Sequence, residues 1–445
     1  MVGEAGCPVD GVSNHIARFP PDGSSFGARE LVSSRGLRRA STRDCMSYFG
    51  EFRKSWRFLS AAGFGLAAGY SITHYVANLM TPHLIENFGW TRSALALIGT
   101  TAVLAVLCQP IAGRLTDAFG VRRMATVGVV FAPLVFIGMS LMSGPIAQYF
   151  ALSVIQVVII GGTTSATIYS RLVAHNFDRA RGVALAIATC TPAALGAISV
   201  PFISVVIDNH GWRAGYIAVA AMVAVVGLTA LALIPKNADA HVVKRAAEPA
   251  SGTSYREIFG TPAFRLIILG MLLTNLAFTL QTSQLKVLLL DKGVDSDAGS
   301  MAISLFASGV FLGRLLCGAA LDRFPTYVVA AISMGLPSVG LLLLATDISS
   351  ILVIASAVVV LGLCIGAEGD VLAYVVVKYF RVEIYSTVLG LVLGSIALSI
   401  TLGSLLLSYI LKTSGTFVPF LVICSVSTLV GAIMFYQLKR VPVFR

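Results

Sequence analysis

Apolar positions in this 445-residue chain fall into long unbroken runs, with none of the narrow stripes of a soluble helix. Twelve runs stand near residues 56–80, 94–112, 124–142, 147–170, 182–206, 214–234, 264–288, 299–320, 326–346, 350–377, 385–411 and 417–437. Each is about long enough to cross a hydrocarbon core of ~30 Å as a helix rising 1.5 Å per residue. The residue-by-residue alternation of a membrane β-barrel is absent. The pattern predicts an all-α integral membrane protein with twelve transmembrane helices.

The polar stretches between the runs divide the chain. Residues 1–54 are rich in Gly, Ser and Arg and lack a periodic apolar face, which predicts a disordered tail. No apolar run near the start marks a secretory signal, and Met46 stands as a second candidate start. In the tail, Arg35, Arg38, Arg39 and Arg43 could touch anionic headgroups or be merely solvated. The long internal connection, 235–262, separates a six-helix bundle over 55–234 from another over 263–438, and 439–445 form a short basic tail. Lys and Arg gather in alternate loops, whereas the loop at 291–297 is net acidic, with Asp291, Asp295 and Asp297 against Lys292. By the positive-inside rule both termini, the central loop and the 113–123 turn are cytoplasmic, in a cell inner or plasma membrane.

Composition agrees with this arrangement. Charged residues make up 12% and hydrophobic residues 56%, against about a quarter charged in soluble domains. The net charge of +11 sits in loops facing one side, so a lipid bilayer and not nucleic acid is the expected partner. Seven cysteines are scattered, mostly inside apolar runs, without metal or redox spacing. No cofactor or metal is implied. Gly161-Gly162-Thr163-Thr164 lacks the upstream Gly and following Lys of a P-loop, and no nucleophile–base constellation appears, so neither ATP-driven work nor enzymatic catalysis is expected.

The halves echo one another. Gly113 to Asp117 matches Gly318 to Asp322, each a Gly four residues before an Asp at the end of an apolar helix. Phe177-Asp178-Arg179 echoes Phe380-Arg381-Val382, and His210-Gly211-Trp212-Arg213 echoes Ser414-Gly415-Thr416-Phe417. An internal repeat of this length predicts two pseudo-symmetric six-helix bundles with a site between them.

Between runs 2 and 3 stands Gly113-Arg114-Leu115-Thr116-Asp117-Ala118-Phe119-Gly120-Val121-Arg122-Arg123. Gly113 and Gly120 would permit a sharp turn, with Arg122 and Arg123 anchoring it. With twelve helices in two halves, this motif resembles the major facilitator superfamily from Trp56 to Gln437. The resemblance implies a cytoplasmic gate in which Asp117 lies near the positive end of helix 11, with Asp322 and Arg323 as the counterpart cluster. Phe88-Gly89-Trp90-Thr91-Arg92-Ser93 ahead of helix 2, Arg181-Gly182-Val183-Ala184-Leu185-Ala186 opening helix 5, and Gly313-Arg314 in helix 8 are similar to the monocarboxylate porter and oxalate:formate antiporter branch.

Arg314 is the sharpest candidate for chemistry. An arginine that deep costs roughly 2.5–3.5 kcal/mol on insertion scales unless paired or hydrated. Its guanidinium could clamp a carboxylate bidentately, and the resemblance implies an essential arginine in this helix. The alternatives are snorkelling, or pairing with Asp322 or Glu368. Glu368 and Asp370 in helix 10 are proton-relay candidates, since burial favours a neutral carboxyl. Being two apart they cannot face one cavity equally; Glu368 is the better placed, and Asp370 could pair with Lys378. Tyr70, His74 and Asn78 at i, i+4 and i+8 form a polar stripe on helix 1, with His74 able to bind an anion or carry a proton. Asn275 and Gln281 of helix 7 could hydrogen-bond substrate, while Lys286 near its outer end is expected to snorkel. Thr163, Thr164 and Thr167 could bond either backbone carbonyls or substrate.

Residues 385–411 contain no Lys or Arg, whereas oxalate-carrying relatives use a second cation in helix 11, so a singly charged acid is favoured. The expected function is alternating-access transport, as a monomer, of a small organic anion with a proton. The alternative is a proton-coupled exporter of apolar or cationic compounds.

Overall fold

The computed structural model describes residues 48–177, 180–235, 255–348, 350–380 and 384–441. The tail expected over 1–47, most of the central loop and the side chain of Asp117 lie outside the described residues. Apart from the first three residues of Tyr48–Ala67, the spans belong to one compact unit, Glu51–Arg445. Among the described residues every regular element is helical.

Among the described residues eight helical segments are long and apolar enough to cross a membrane, the second span passing through a 3-10 stretch at Leu97–Ala102 and the ninth through a joint at Leu336. One of them, Arg181–Leu233, contains both the fifth and sixth spans and turns at Gly211, whose φ of 83° and ψ of 167° break the helical path. The remaining spans, the first, fourth and seventh, are interrupted. The first runs as Tyr48–Ala67 and Ile72–Phe88. The fourth runs as Ile146–Ile155, a π-helical stretch Gln156–Gly161, and Ala166–Asn176. The seventh runs as Pro262–Thr274, a break at Asn275, a π-helical stretch Leu280–Gln284, and Leu285–Asp291.

Backbone groups released by such breaks must find partners, because lipid supplies none. At the first break Gly69 N–H donates to the Leu66 carbonyl at 3.2 Å, and Tyr70 N–H donates to Thr164 Oγ1 at 3.0 Å. Thr164 in turn donates to the Ile160 carbonyl at 2.7 Å, so one hydroxyl joins the first and fourth spans. Thr163 donates likewise to the Ile159 carbonyl at 2.6 Å. Of the alternatives open for these threonines, backbone bonding is the one realised.

The eighth span, Ser296–Arg323, and the tenth, Ile351–Tyr379, cross with their backbones in contact. A Cβ at Gly313 would stand 2.0 Å from the Leu363 carbonyl oxygen, and one at Gly366 would stand 2.1 Å from that of Val310. Gly309 and Gly362 close the same interface. In lipid no hydrophobic force drives helices together, so this close dispersion contact holds the pair. Large apolar side chains such as Ile198, Phe202 and Leu352 remain exposed, as a lipid-facing surface requires.

Three features differ from the sequence reading. The first helix begins at Tyr48, inside the stretch read as a tail. Phe52 packs its ring 5.4 Å from that of Phe177, and a Glu51 carboxylate oxygen accepts from Ala180 N–H at 3.0 Å, just ahead of Arg181–Leu233. The stretch read as an unpatterned loop contains the helix Tyr255–Gly260, anchored by buried Ile258 and by Phe259 against Phe264 at 5.1 Å. The 113–123 turn is a single residue: Gly120 alone leaves the helical path, with φ 85° and ψ 160°, while Gly113 lies within Val103–Phe119.

Replacing Gly313 by Leu should abolish the eighth–tenth crossing. Over-packing costs typically about 1–3 kcal/mol, and here the obstacle is rigid backbone. Size-exclusion profiles in detergent should show aggregated Gly313→Leu protein, whereas Gly318→Leu, with open space around its Cβ, should remain monodisperse.

Candidate functional site

A cavity of about 780 Å³ lies between the halves, walled by the first, second, fourth, seventh and eleventh spans. It extends from Tyr70, His74 and Thr279 to Gly113, Leu389 and Gly390. All three interrupted spans contribute to its wall. Irregular backbone at membrane depth is tolerated where it lines a cavity, and π-helical stretches recur at functional sites.

The cavity wall carries no Lys, Arg, Asp or Glu among the described residues. Its polar groups are hydroxyls and amides, with His74 among the tyrosines. Thr73 Oγ1, Gln156 Nε2, Ser165 Oγ and Gln284 Oε1 are buried without a hydrogen-bond partner, and all four side chains line this space. Unmet buried polar groups cost about 1–3 kcal/mol each, so these four are points of the wall that a small rearrangement would stabilise.

Beyond His74 the two halves are drawn together toward Arg92 and Asp291. Asn78 donates to the Gln281 carbonyl at 3.0 Å and accepts from Leu285 N–H at 2.8 Å, using donors and acceptors freed by the π-helical stretch. Gln284 donates to the Arg92 carbonyl at 3.0 Å. Arg92 forms a bidentate salt bridge with Asp291, its Nη2 lying 2.6 Å from Oδ1, and sits 5.9 Å from the centroid of the Phe417 ring. Gly99 makes the crossing possible, since a Cβ there would stand 2.2 Å from Ser404 Oγ and 2.4 Å from Thr279 Oγ1. Ser204 and Ser300 share a hydrogen bond of 2.7 Å between the fifth and eighth spans.

Lys286 belongs to this closed end, and its expected snorkelling is corrected. It is 1% exposed and donates to Ser300 Oγ at 2.8 Å. The crossing of the seventh and eighth spans seals the amine off, with Gly299 packed beside the Lys286 stem. A long apolar stem alone could not reveal which neighbour would cover it.

The expected site residues separate into three groups. Tyr70 and His74 line the cavity, their rings 5.4 Å apart, and His74 stands edge-on to Phe278 at 5.4 Å. Asn78, fully buried, is engaged in the clasp between the first and seventh spans. Asn275, Gln281 and Glu368 come together around a second, small chamber of about 30 Å³. There Asn275 Nδ2 donates to Glu368 Oε1 at 2.9 Å. Phe278 is the residue common to both walls.

Arg314 lies outside both walls. Its Nε donates to the Gly366 carbonyl at 3.3 Å, and its Nη1 donates to the Thr189 carbonyl at 2.9 Å on the fifth span, across the halves. Glu368 and Asp370 are within its field, yet among the described residues the salt bridge present is Arg92–Asp291. Lys378 donates to Thr326 Oγ1 at 3.3 Å and not to Asp370. In the gate cluster, Arg122 donates to the Ile234 carbonyl, Asp322 accepts from the Tyr374 hydroxyl at 2.8 Å, and Arg123 and Arg323 are exposed.

Sequence reasoning missed Gln156, Gln284, Phe278 and the Arg92–Asp291 pair. A signal for the last was present: Arg92 caps one span start while an acidic loop follows the seventh span.

Interrupted helices from two halves around a central cavity define a polytopic membrane carrier. The Major Facilitator Superfamily model matches residues 58–367 and 267–443, and the chain belongs to that family. It is 24% identical over 286 residues to the MFS-type transporter pynF of Aspergillus niger, covering 62% of this chain and 61% of that protein. It is 25% identical over 252 residues to Monocarboxylate transporter 11 of Homo sapiens, covering 55% and 52% respectively. The chain therefore spans between half and two thirds of the curated relatives it matches. Among solved structures, a bacterial homologue of the human lysosomal transporter Spinster, in an inward-facing and unoccupied conformation, superimposes with a TM-score of 0.64. That match covers 87% of this chain and 97% of the other at 14% identity, and it shows the shared fold.

Two outcomes follow for the closed end. Reversing one charge of Arg92–Asp291 should lower the melting temperature and the double reversal should restore it, with a coupling of about 0.2–1 kcal/mol in a double-mutant cycle, as for partly exposed pairs. Lys286→Met should melt no lower than the parent, because replacing a buried charge by an apolar side chain of similar volume is often neutral or stabilising. A loss of several degrees would show that the amine is essential to the seam.

Proposed function

We propose that the chain is a secondary transporter that moves an organic anion together with a proton by alternating access around the cavity. The single observation that carries the anion is Arg314, an intramembrane guanidinium bonded to two backbone carbonyls and, among the described residues, to no carboxylate. Arg314, Glu368 and Asp370 form one electrostatic cluster on the eighth and tenth spans. With both carboxyls protonated this cluster carries one positive charge, which a carboxylate ligand neutralises. Charge and proton then cross together, avoiding the cost of moving an unpaired ion through lipid. The partial likeness to Monocarboxylate transporter 11 supports the same substrate class.

In this reading the basic loops lie in the cytoplasm, together with both termini of the inner or plasma membrane protein, and the Arg92 end faces outward. The cavity then extends inward, and the Asn78, Arg92 and Ser204 contacts are the outer closure. The 113–123 motif, with Asp117, Asp322 and Arg323, closes the other end when the halves rock back. An apolar or cationic cargo is the second reading, favoured by the uncharged wall of the main cavity.

The test is uptake of a panel of radiolabelled monocarboxylic acids into proteoliposomes under an inward proton gradient. Arg314→Ala should reduce uptake at least about tenfold, corresponding to ~1.4 kcal/mol of lost interaction, with expression unchanged. Glu368→Gln should remove the acceleration by the gradient while sparing exchange. Full uptake in Arg314→Ala would overturn the anion reading, and export of apolar dyes without acid uptake would establish the second.

A further inference from the structure

The main cavity and the Glu368 chamber are neighbours that do not merge. The residue common to both walls is Phe278, in the short stretch between the Asn275 break and the π-helical Leu280–Gln284. On the cavity side its ring meets His74 edge-on. On the chamber side stand Asn275, Gln281 and Glu368 from the seventh and tenth spans, with Met334 and Pro337 of the ninth behind them. The chamber's 30 Å³ is room for about one or two waters, and its polar lining offers them partners.

We propose that Phe278 is the partition of this carrier: its ring isolates Glu368 from the substrate cavity, and its displacement joins the two. The inference rests on the reading of Glu368 as the proton-holding group and adds the element that controls access to it. The backbone supports a mobile partition. Phe278 N–H donates to the Asn275 carbonyl at 3.1 Å in a turn, and helical bonding on either side follows a different register. A short segment between a break and a π-helical stretch can rotate without unwinding a whole span. An edge-on aromatic contact is worth about 0.5–1.5 kcal/mol, small enough for a ligand seated beside His74 to replace it.

The groups acting on Glu368 come from each neighbouring element. Asn275 donates from the seventh span, Arg314 acts from the eighth, and Cys364 shares the tenth. None of these is removed by shortening Phe278, so a Phe278 variant changes access while leaving the immediate partners of the carboxyl in place.

Access can be read without knowing the substrate. Purified protein in liposomes is treated with dicyclohexylcarbodiimide, an apolar reagent for buried carboxyls, and labelling of Glu368 is followed by peptide mass spectrometry. Phe278→Ala should label at Glu368 at least about tenfold faster than the parent, and Phe278→Leu should fall between. Labelling of Asp370, which lines neither space, should be unchanged and serves as the internal control. Monodisperse Phe278→Leu protein keeps the test informative if Phe278→Ala fails to fold. Equal Glu368 rates in parent and folded variants would overturn the partition. That failure is distinct from failure of the reading of Glu368 as the proton-holding group, which proton-driven uptake retained in Glu368→Gln would bring about while leaving the labelling result intact.

Discussion

A hydrocarbon solvent offers no partner to a backbone N–H or C=O, and the architecture follows from that constraint. Nine of the spans answer it with continuous or nearly continuous helix. The first, fourth and seventh depart from it, and the first and seventh are answered from other spans: Tyr70 N–H by the Thr164 hydroxyl, the Gln281 carbonyl and Leu285 N–H by the Asn78 amide. Asn78 thus spends its side chain on the backbone of the opposite half. The same irregularities deliver Gln156 and Gln284 to the cavity wall with amide atoms still unpaired.

Packing obeys a second rule of the same solvent. Where apolar surface gains nothing by association, approach distance decides strength, and the eighth and tenth spans approach through glycines until backbone meets backbone. This crossing fixes Arg314 against the Gly366 carbonyl and sets the guanidinium beside Glu368 and Asp370. Rigidity there contrasts with the closed end near Arg92, where side-chain hydrogen bonds and one salt bridge span the halves.

The twelve spans were legible because run length and hydropathy carry topology almost unaided. The superfamily was legible because Gly113 to Arg123 is a dense local motif. Helix breaks were not legible: nothing in the local composition distinguishes the π-helical Leu280–Gln284 from ordinary helix, and the partners that stabilise it lie about two hundred residues away in sequence. The same distance hid the role of Asn78, which reads as one member of a polar stripe until Gln281 and Leu285 are placed beside it. Lys286 shows the limit for charges. Its position near a span end suggested solvent, and only the crossing with Ser300 removes that solvent. Tyr70 stands in the break between Tyr48–Ala67 and Ile72–Phe88, and His74 in the first turn of the second piece, so their shared place on the cavity wall follows from that break and not from an unbroken helical stripe.

In the Lys286–Ser300–Ser204 seam the Ser204–Ser300 hydroxyl pair joins the halves, and the Lys286 amine bonds Ser300 within its own half. Water can replace each of these bonds as it enters, and a protein hydrogen bond exceeds its aqueous substitute by only about 0.5–1.5 kcal/mol. A wettable joint of this kind can part and re-form many times with little energy difference between its two conditions. A greasy joint of equal area would hold one condition almost permanently. The polarity of these side chains therefore suits a joint that parts, in keeping with the transport cycle proposed above.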